Sequence, residues 1–254
     1  MSGFYLFLTI MSAVAAIVFV ALYFVDAGYG KFYTPKWGHA IDNRLGWVLM
    51  EAPVFIAMLL LWLYSERRTD PTRLAFLLIF EIHYFQRSFI FPLKISGRGR
   101  MPLSIIVMGQ LFNTLNALMQ GGWIFYISPA GMYPASWLLS PQFLAGTAVF
   151  AFGMFVNLQS DDIIRHLRKS PDDTRHYLPR GGMFRYVSSA NYFGELLEWI
   201  GFAILTWSWA GAVFALWTFA NLCPRAARIH SRYEQEFGDE FDGKKIKCLI
   251  PFIY

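Results

Sequence analysis

The chain has 254 residues, 56% of them hydrophobic and 19% aromatic, with only 15% charged and a formal net charge of +5. A soluble domain carries a larger charged share, so the composition excludes an ordinary water-soluble enzyme, and the surplus of cations calls for no nucleic acid. Cys223 and Cys248, with no CxxC and no His/Cys cluster at ligand spacing, imply neither a disulfide framework nor a structural metal.

Residues 4–25 (FYLFLTIMSAVAAIVFVALYFV) hold no charge and are long enough to cross a bilayer as a helix. No Lys or Arg precedes them, the first being Lys31, so the stretch reads as a retained span and not a signal peptide. The second block, 46–64, carries Glu51 early, with Pro53 after it in MEAPVF, which suits a first helical turn or a kink. The third, 73–93, encloses EIHYFQRSF with Glu81, His83, Tyr84 and Arg87. A core role fits His83, and an interface belt is the common fate of a membrane tyrosine, so spacing alone chooses no catalyst here. The fourth block, 103–128, contributes no candidate residue.

The fifth block, 141–159, runs on into NLQSDDIIRHLRK. Asn157, Asp161, Arg165 and Arg168 share an arc of roughly 80° on a helix, although Asp161–Arg165 is also an ordinary i,i+4 pair. After the loop SPDDTRHYLPRGGMFRYVSS comes the sixth block, 191–208, in which Asn191, Glu195 and Glu198 fall within roughly 60° of one another. Ionisable groups inside a span are costly and have partners or a function. Against a wet position at the headgroup level, which fits Glu198 alone equally well, the aligned trio favours a cavity, with Glu198 standing behind the cavity wall or in helix packing. The seventh block, 209–222, is followed by Pro224, which can start a helix. Beyond it Arg225, Arg228 and Arg232 line one side while His230 and Tyr233 stand one turn apart. Alone, this segment reads as a basic helix on anionic lipid.

Seven blocks without a soluble insert predict one all-α integral membrane domain with seven transmembrane helices. Alternating the loops puts Arg67, Arg68 and Arg73 on one side and the remaining loop and tail cations on the other. The N-terminus is then outside and the C-terminus cytoplasmic, in the endoplasmic reticulum membrane of a eukaryote or the cytoplasmic membrane of a bacterium. The basic cytoplasmic ends, including the GRGR of 97–100, suit a phosphorylated cofactor. Gly181–Gly182 lets backbone approach a ligand, but no strand-borne GxGxxG is present.

The stretches HYFQRSF, GRGR, NLQSDDIIRHLRK, PRGGMFRYVSSANYFGELLEWIGF and LIPFIY, with GYGK at 28–31, resemble the steroid 5α-reductase family, especially its type 2 enzyme, over nearly the whole chain. The resemblance implies a seven-span enzyme that reduces the 4,5 double bond of a 3-oxo-Δ4 steroid with NADPH. It assigns Tyr84 and Glu51 to the 3-oxo group. Glu51 must then be protonated or hydrogen-bonded to Tyr84, since a bare carboxylate repels a developing oxyanion. It further assigns Asn157, Asp161 and Arg168 to NADPH, Asn191 and Glu195 to the nicotinamide end, and Arg225 and Tyr233 to cofactor contacts in the last helix, with Arg98, Arg100 and Tyr177 as additions. Where the family has a run of histidines this chain has Arg228, Ile229 and His230; the replacement contact is one of these, and His230 is counted among the cofactor residues. Two other functions compete: an S-adenosylmethionine-dependent methyltransferase of isoprenyl or lipid substrates on a related membrane core, and a non-enzymatic lipid-binding protein. A reductase of another lipid enone is a third variant. No obligate protein partner is called for beyond the bilayer.

Overall fold

The computed structural model describes residues 2–25, 28, 34–95, 99–168, 173, 175–243 and 245–254. Its long elements are helices: α1 (Ser2–Phe24), α2 (Asn43–Leu63), α3 (Pro71–Phe85), α4 (Phe91–Leu93), α5 (Leu103–Gly121), α6 (Pro141–His166), α7 (Ala190–Thr206) and α8 (Trp209–Phe237). Among the described residues four helical stretches are long and apolar enough to cross a membrane: Ser2–Phe24, Asn43–Leu63, Pro71–Leu93 and Pro141–His166. The helices at the other blocks are interrupted, short or charged. Helix α5 carries Asn113, Asn116 and Gln120, α7 has 17 residues with two glutamates, and the second half of α8 is basic. The all-helical expectation is corrected at one point. Residues Ala40–Asp42 (β1) and Arg100–Pro102 (β2) pair antiparallel, Ala40 opposite Pro102. These strands precede α2 and α5, outside the apolar blocks, where no lipid forbids a short ladder.

The chain divides into two compact units. The first comprises Met1–Ser2 and Asp26–Leu144. Asp42 starts α2 by accepting the amides of Arg44 and Leu45, and Asp70 starts α3 by accepting those of Thr72 and Arg73. Pro53 thus lies ten residues into α2 and not in its first turn. A proline cannot donate to the carbonyl four residues back, here Leu49, and Gln110 of α5 supplies the missing donor at 2.8 Å. At the other end of the unit Arg73 is buried, pairs with Asp70, donates to the Ile124 carbonyl at 2.8 Å and lies over the Tyr133 ring. It is a structural tie between α3 and the segment after α5. Both α3 and α5 end in π turns, Gln86–Ile90 and Gly122–Ile127.

The second unit comprises Gly3–Val25 and Ala145–Tyr254. Four glycines bring α6 and α7 into backbone contact. A Cβ on Gly153 would stand 2.6 Å from the Glu198 nitrogen and the Gly194 oxygen, and one on Gly194 would stand 2.4 Å from the Asn157 nitrogen. Two turns along, Gly146 and Gly201 repeat the arrangement against Leu205 and Phe150. Small residues that let helix backbones touch are the usual device where lipid supplies no hydrophobic drive. Helix α1 follows α8, with Trp217 donating to the Met11 carbonyl at 2.8 Å and Phe19 stacked on Phe219. The expected helix start at Pro224 is a second correction: α8 runs unbroken through it. The change there is from apolar to charged sequence, and a helix backbone registers no such boundary.

Candidate active site

In the first unit Glu51 and Tyr84 are both held from α5. Asn113 donates through Nδ2 to the Met50 carbonyl at 2.7 Å and to Glu51 Oε2 at 3.1 Å. Asn116 donates through Nδ2 to Tyr84 Oη at 2.9 Å. Residues three apart on a helix are neighbours on one face, so two amides a single turn apart grip the carboxyl of α2 and the phenol of α3. Asn116 is fully buried and Tyr84 is 3% exposed. The ring of Tyr84 is fixed between Phe80, at 4.7 Å between centroids, and His83, at 5.0 Å. His83 is buried beside the phenol, in keeping with a core role. What this arrangement offers chemically is two oxygens, one phenolic and one carboxylic, each receiving a hydrogen bond from behind.

Sequence reasoning passed over α5. The signal was present: Asn113, Asn116 and Gln120 are spaced i, i+3 and i+7, and all three are buried. They fall within roughly 60° on a helix.

In the second unit the polar faces of α6 and α7 meet. Asn157 Nδ2 donates to the Asn191 carbonyl at 2.9 Å, and Asn191 Nδ2 approaches Asp161 Oδ1 at 3.4 Å. Asn157 and Asp161 are buried, while Asn191 and Glu195 are half-buried on successive turns of α7. Arg165 does not join them. It pairs with Asp162 at 2.9 Å instead of Asp161, which leaves Asp161 turned inward. Glu198 is 1% exposed, beside Gly153, as a packing residue would be. Two serine hydroxyls next to this cluster, Ser160 and Ser189, are buried with no hydrogen-bond partner among the described residues.

Arg225 lies over the Tyr192 ring, joining α8 to α7. Farther along α8, His230 and Tyr233 are buried against Phe241, and His230 Nδ1 is 3.3 Å from Ser188 Oγ. Tyr233 lines a pocket of about 290 Å³ with Ser188, Arg180 and Arg185. The loop before α7 is clamped to α8: His176 pairs with Glu236 at 3.0 Å, and Glu236 with Arg232 at 2.6 Å. Tyr177 donates to Asp173 Oδ2 at 2.7 Å. That bond raises the proton affinity of Tyr177, and hydrogen bonds from Arg175 and Tyr177 hold the Asp173 carboxyl well below the usual carboxylate range. Arg168 is exposed just past the end of α6. Arg100 belongs to the first unit, on β2, and donates to the Ala40 carbonyl at 3.0 Å. Arg98, like Lys31, Lys169 and Lys244, lies outside the described residues.

Burial lowers the pKa of His230, partly opposed by Glu234 and reinforced by Lys247. The folded protein then refuses a proton that the unfolded chain accepts below its ordinary pKa of about 6.5. Stability is present above that value and is lost as pH falls through the folded pKa, by at most about 1.4 kcal/mol per pH unit. Thermal denaturation in detergent at pH 7.5 and 5.5 is expected to show this drop, and His230→Asn to flatten it. An unchanged pH dependence in the variant would place its origin elsewhere.

A family model described as 3-oxo-5-alpha-steroid 4-dehydrogenase matches residues 99–254. The chain is 42% identical over 247 residues to 3-oxo-5-alpha-steroid 4-dehydrogenase 1 of Mus musculus, covering 94% of this chain and 92% of that protein. It is 38% identical over 246 residues to steroid 5-alpha-reductase DET2 of Gossypium hirsutum, covering 95% and 93%. With 3-oxo-5-alpha-steroid 4-dehydrogenase 1 of Homo sapiens it shares 37% over 246 residues, covering 95% and 92%.

Proposed function

The chain belongs to the 3-oxo-5-alpha-steroid 4-dehydrogenase family, and on that footing we propose that it reduces the 4,5 double bond of 3-oxo-Δ4 steroids with NADPH. The observation that supports this reading most is the pair of amides, Asn113 and Asn116, behind Glu51 and Tyr84. Addition of hydride at C5 of an enone moves negative charge onto the 3-oxo oxygen. A donor fixed at that oxygen stabilises the enolate-like transition state more than the ground state. Tyr84 supplies its phenolic proton for this hydrogen bond. Glu51 supplies a second from its carboxylic acid form, because an ionised carboxylate would oppose the charge. The enolate then takes a proton from water at C4 and the carbonyl re-forms, giving the 5α-reduced ketone. A methyltransferase has no need of this pair, and a lipid-binding protein has no need of the polar cluster between α6 and α7.

The second unit fits a dinucleotide in kind. Asn157, Asp161, Arg168, Asn191 and Glu195 hold the cofactor from α6 and α7, with Asn191 and Glu195 at the nicotinamide end. Arg225, His230, Tyr233 and Tyr177 hold it from the last helix and the loop before α7. The unpartnered hydroxyls of Ser160 and Ser189 are polar groups that an apolar occupant would leave unsatisfied. NADPH, when bound, supplies the hydride. The chain sits in the membrane by seven spans, with its N-terminus outside and its basic C-terminal end cytoplasmic.

The test is product identification after incubating the purified protein with NADPH and testosterone, progesterone or a prenyl enone. A 5α-reduced steroid is expected. Turnover of the prenyl enone alone would shift the substrate class, and no reduction of any of them would overturn the reading. In direct titrations Asn191→Ala, at a half-buried position, and Arg168→Ala, which removes an exposed charge-assisted donor, are expected to weaken NADPH binding, each by about ten-fold, the worth of one lost hydrogen bond. Catalytic efficiency with NADPH is expected to exceed that with NADH, since Arg forks favour the extra phosphate. Wild-type affinity in both variants would remove these residues from the site.

A further inference from the structure

We infer that Asn116 is a positioning residue for Tyr84, holding the phenol so that its proton points at the substrate oxygen. The inference rests on the reductase reading above and adds a residue to it. A phenol oxygen has one proton to give and lone pairs to receive. Asn116 Nδ2 is 2.9 Å from Tyr84 Oη and donates to it. The lone pair of an amide nitrogen is delocalised into its carbonyl and accepts no hydrogen bond, so the phenolic proton cannot be spent on this nitrogen and is directed away from it. Both residues are buried, Asn116 completely, so no bulk water competes for the phenol oxygen. The ring contacts with Phe80 and His83 fix the plane of Tyr84, which leaves the rotation of the O–H bond as the freedom that Asn116 removes.

Two further facts separate this from ordinary packing. Asn116 Oδ1 is buried with no hydrogen-bond partner among the described residues. A buried acceptor without a partner carries its full desolvation cost. A leucine of similar shape would avoid that cost, so stability does not account for the amide. Its donor half is the part in use. In addition, one turn away Asn113 treats Glu51 in the same manner: it donates to Oε2 while anchored on the Met50 carbonyl. One face of α5 therefore presents donors to both groups that face the enone oxygen. The transition state then meets donors already oriented, with no reorganisation left to make.

The experiment measures single-turnover enone reduction with saturating NADPH for four proteins in nanodiscs: wild type, Asn116→Leu, Tyr84→Phe and the double variant. Asn116→Leu is expected to match or exceed the wild-type denaturation midpoint, to bind NADPH normally, and to react roughly ten-fold more slowly, the worth of one oriented hydrogen bond. In the Tyr84→Phe background the same substitution is expected to cost nothing more, because there is no phenol left to orient. Asn116→Ala adds no bulk and carries the same expectation should leucine not be accommodated. A wild-type rate for Asn116→Leu beside an impaired Tyr84→Phe overturns the role of Asn116 and leaves the reductase reading intact. Equal losses in both backgrounds overturn it too, by showing that Asn116 acts through packing. A normal rate for Tyr84→Phe overturns the polarising role of Tyr84 itself and the inference with it.

Discussion

Tyr84→Phe is expected to slow single-turnover reduction by a factor on the order of 10²–10³ while leaving NADPH binding nearly unchanged. Phenylalanine keeps the ring, and with it the contacts to Phe80 and His83. What is lost is the oxygen that receives the Asn116 amide and the proton proposed to stabilise charge on the 3-oxo group. Removal of one such donor costs about 2.7–4 kcal/mol in the barrier. The loss is expected in the rate and not in cofactor affinity, since the phenol is proposed to act on the 3-oxo oxygen and not on the cofactor. At Glu51 the amide of Glu51→Gln retains a donor and an acceptor and keeps the contact with Asn113, so it is expected to be milder than Glu51→Ala. If the Tyr84→Phe enzyme turned over at the wild-type rate, Tyr84 would be a packing aromatic and the catalytic assignment would fall, with the family membership untouched.

Much of the architecture was legible because lipid imposes block composition. Each apolar block corresponds to a helix, and the polar arcs on 157–161 and 191–195 meet through Asn157 and Asn191. The misses have physical causes. The strands β1 and β2 are three residues each, too short for any alternation to register. Pro224 marks a change of composition, whereas the helix answers to backbone hydrogen bonding and continues. In sequence Pro53 suits a helix start or a kink. Its place in mid-helix depends on Gln110, 57 residues later in the chain, closing the gap it leaves at the Leu49 carbonyl. The amides of α5 leave no charge signal, because Asn and Gln are neutral and a span without ionisable groups looks uniformly apolar. Yet Asn113 and Asn116 are the residues that join Glu51 to Tyr84 in space, where sequence alone had them in separate blocks and depended on resemblance to unite them. Arg73 shows the converse. In sequence it marks only a side of the membrane, and it is among the most deeply buried side chains of the first unit.

Gly194→Ala is expected to lower the denaturation midpoint and to reduce NADPH affinity together. In an isolated helix alanine is favoured over glycine by about 1 kcal/mol, so intrinsic propensity predicts the opposite sign. The clash decides. The new Cβ would lie 2.4 Å from the Asn157 nitrogen, 2.7 Å from the Gly153 oxygen and 2.9 Å from the Asn157 Cα. All three are backbone atoms, which no rotamer change can move aside. The helices α6 and α7 must separate, and overpacking of this kind costs about 1–3 kcal/mol. Separation also stretches the 2.9 Å bond from Asn157 to the Asn191 carbonyl, and with it the cluster assigned to the cofactor. Gly201→Ala makes the same clash with the Phe150 backbone, two turns from that cluster, so it is expected to cost comparable stability and less cofactor affinity. Gly3→Ala is the control. Nothing lies within 4 Å of its Cβ, and it is expected to be neutral or slightly stabilising. The readouts are thermal denaturation in detergent and direct NADPH titration. If Gly194→Ala matched the wild type in both, close approach of α6 and α7 would not be what assembles the cofactor face.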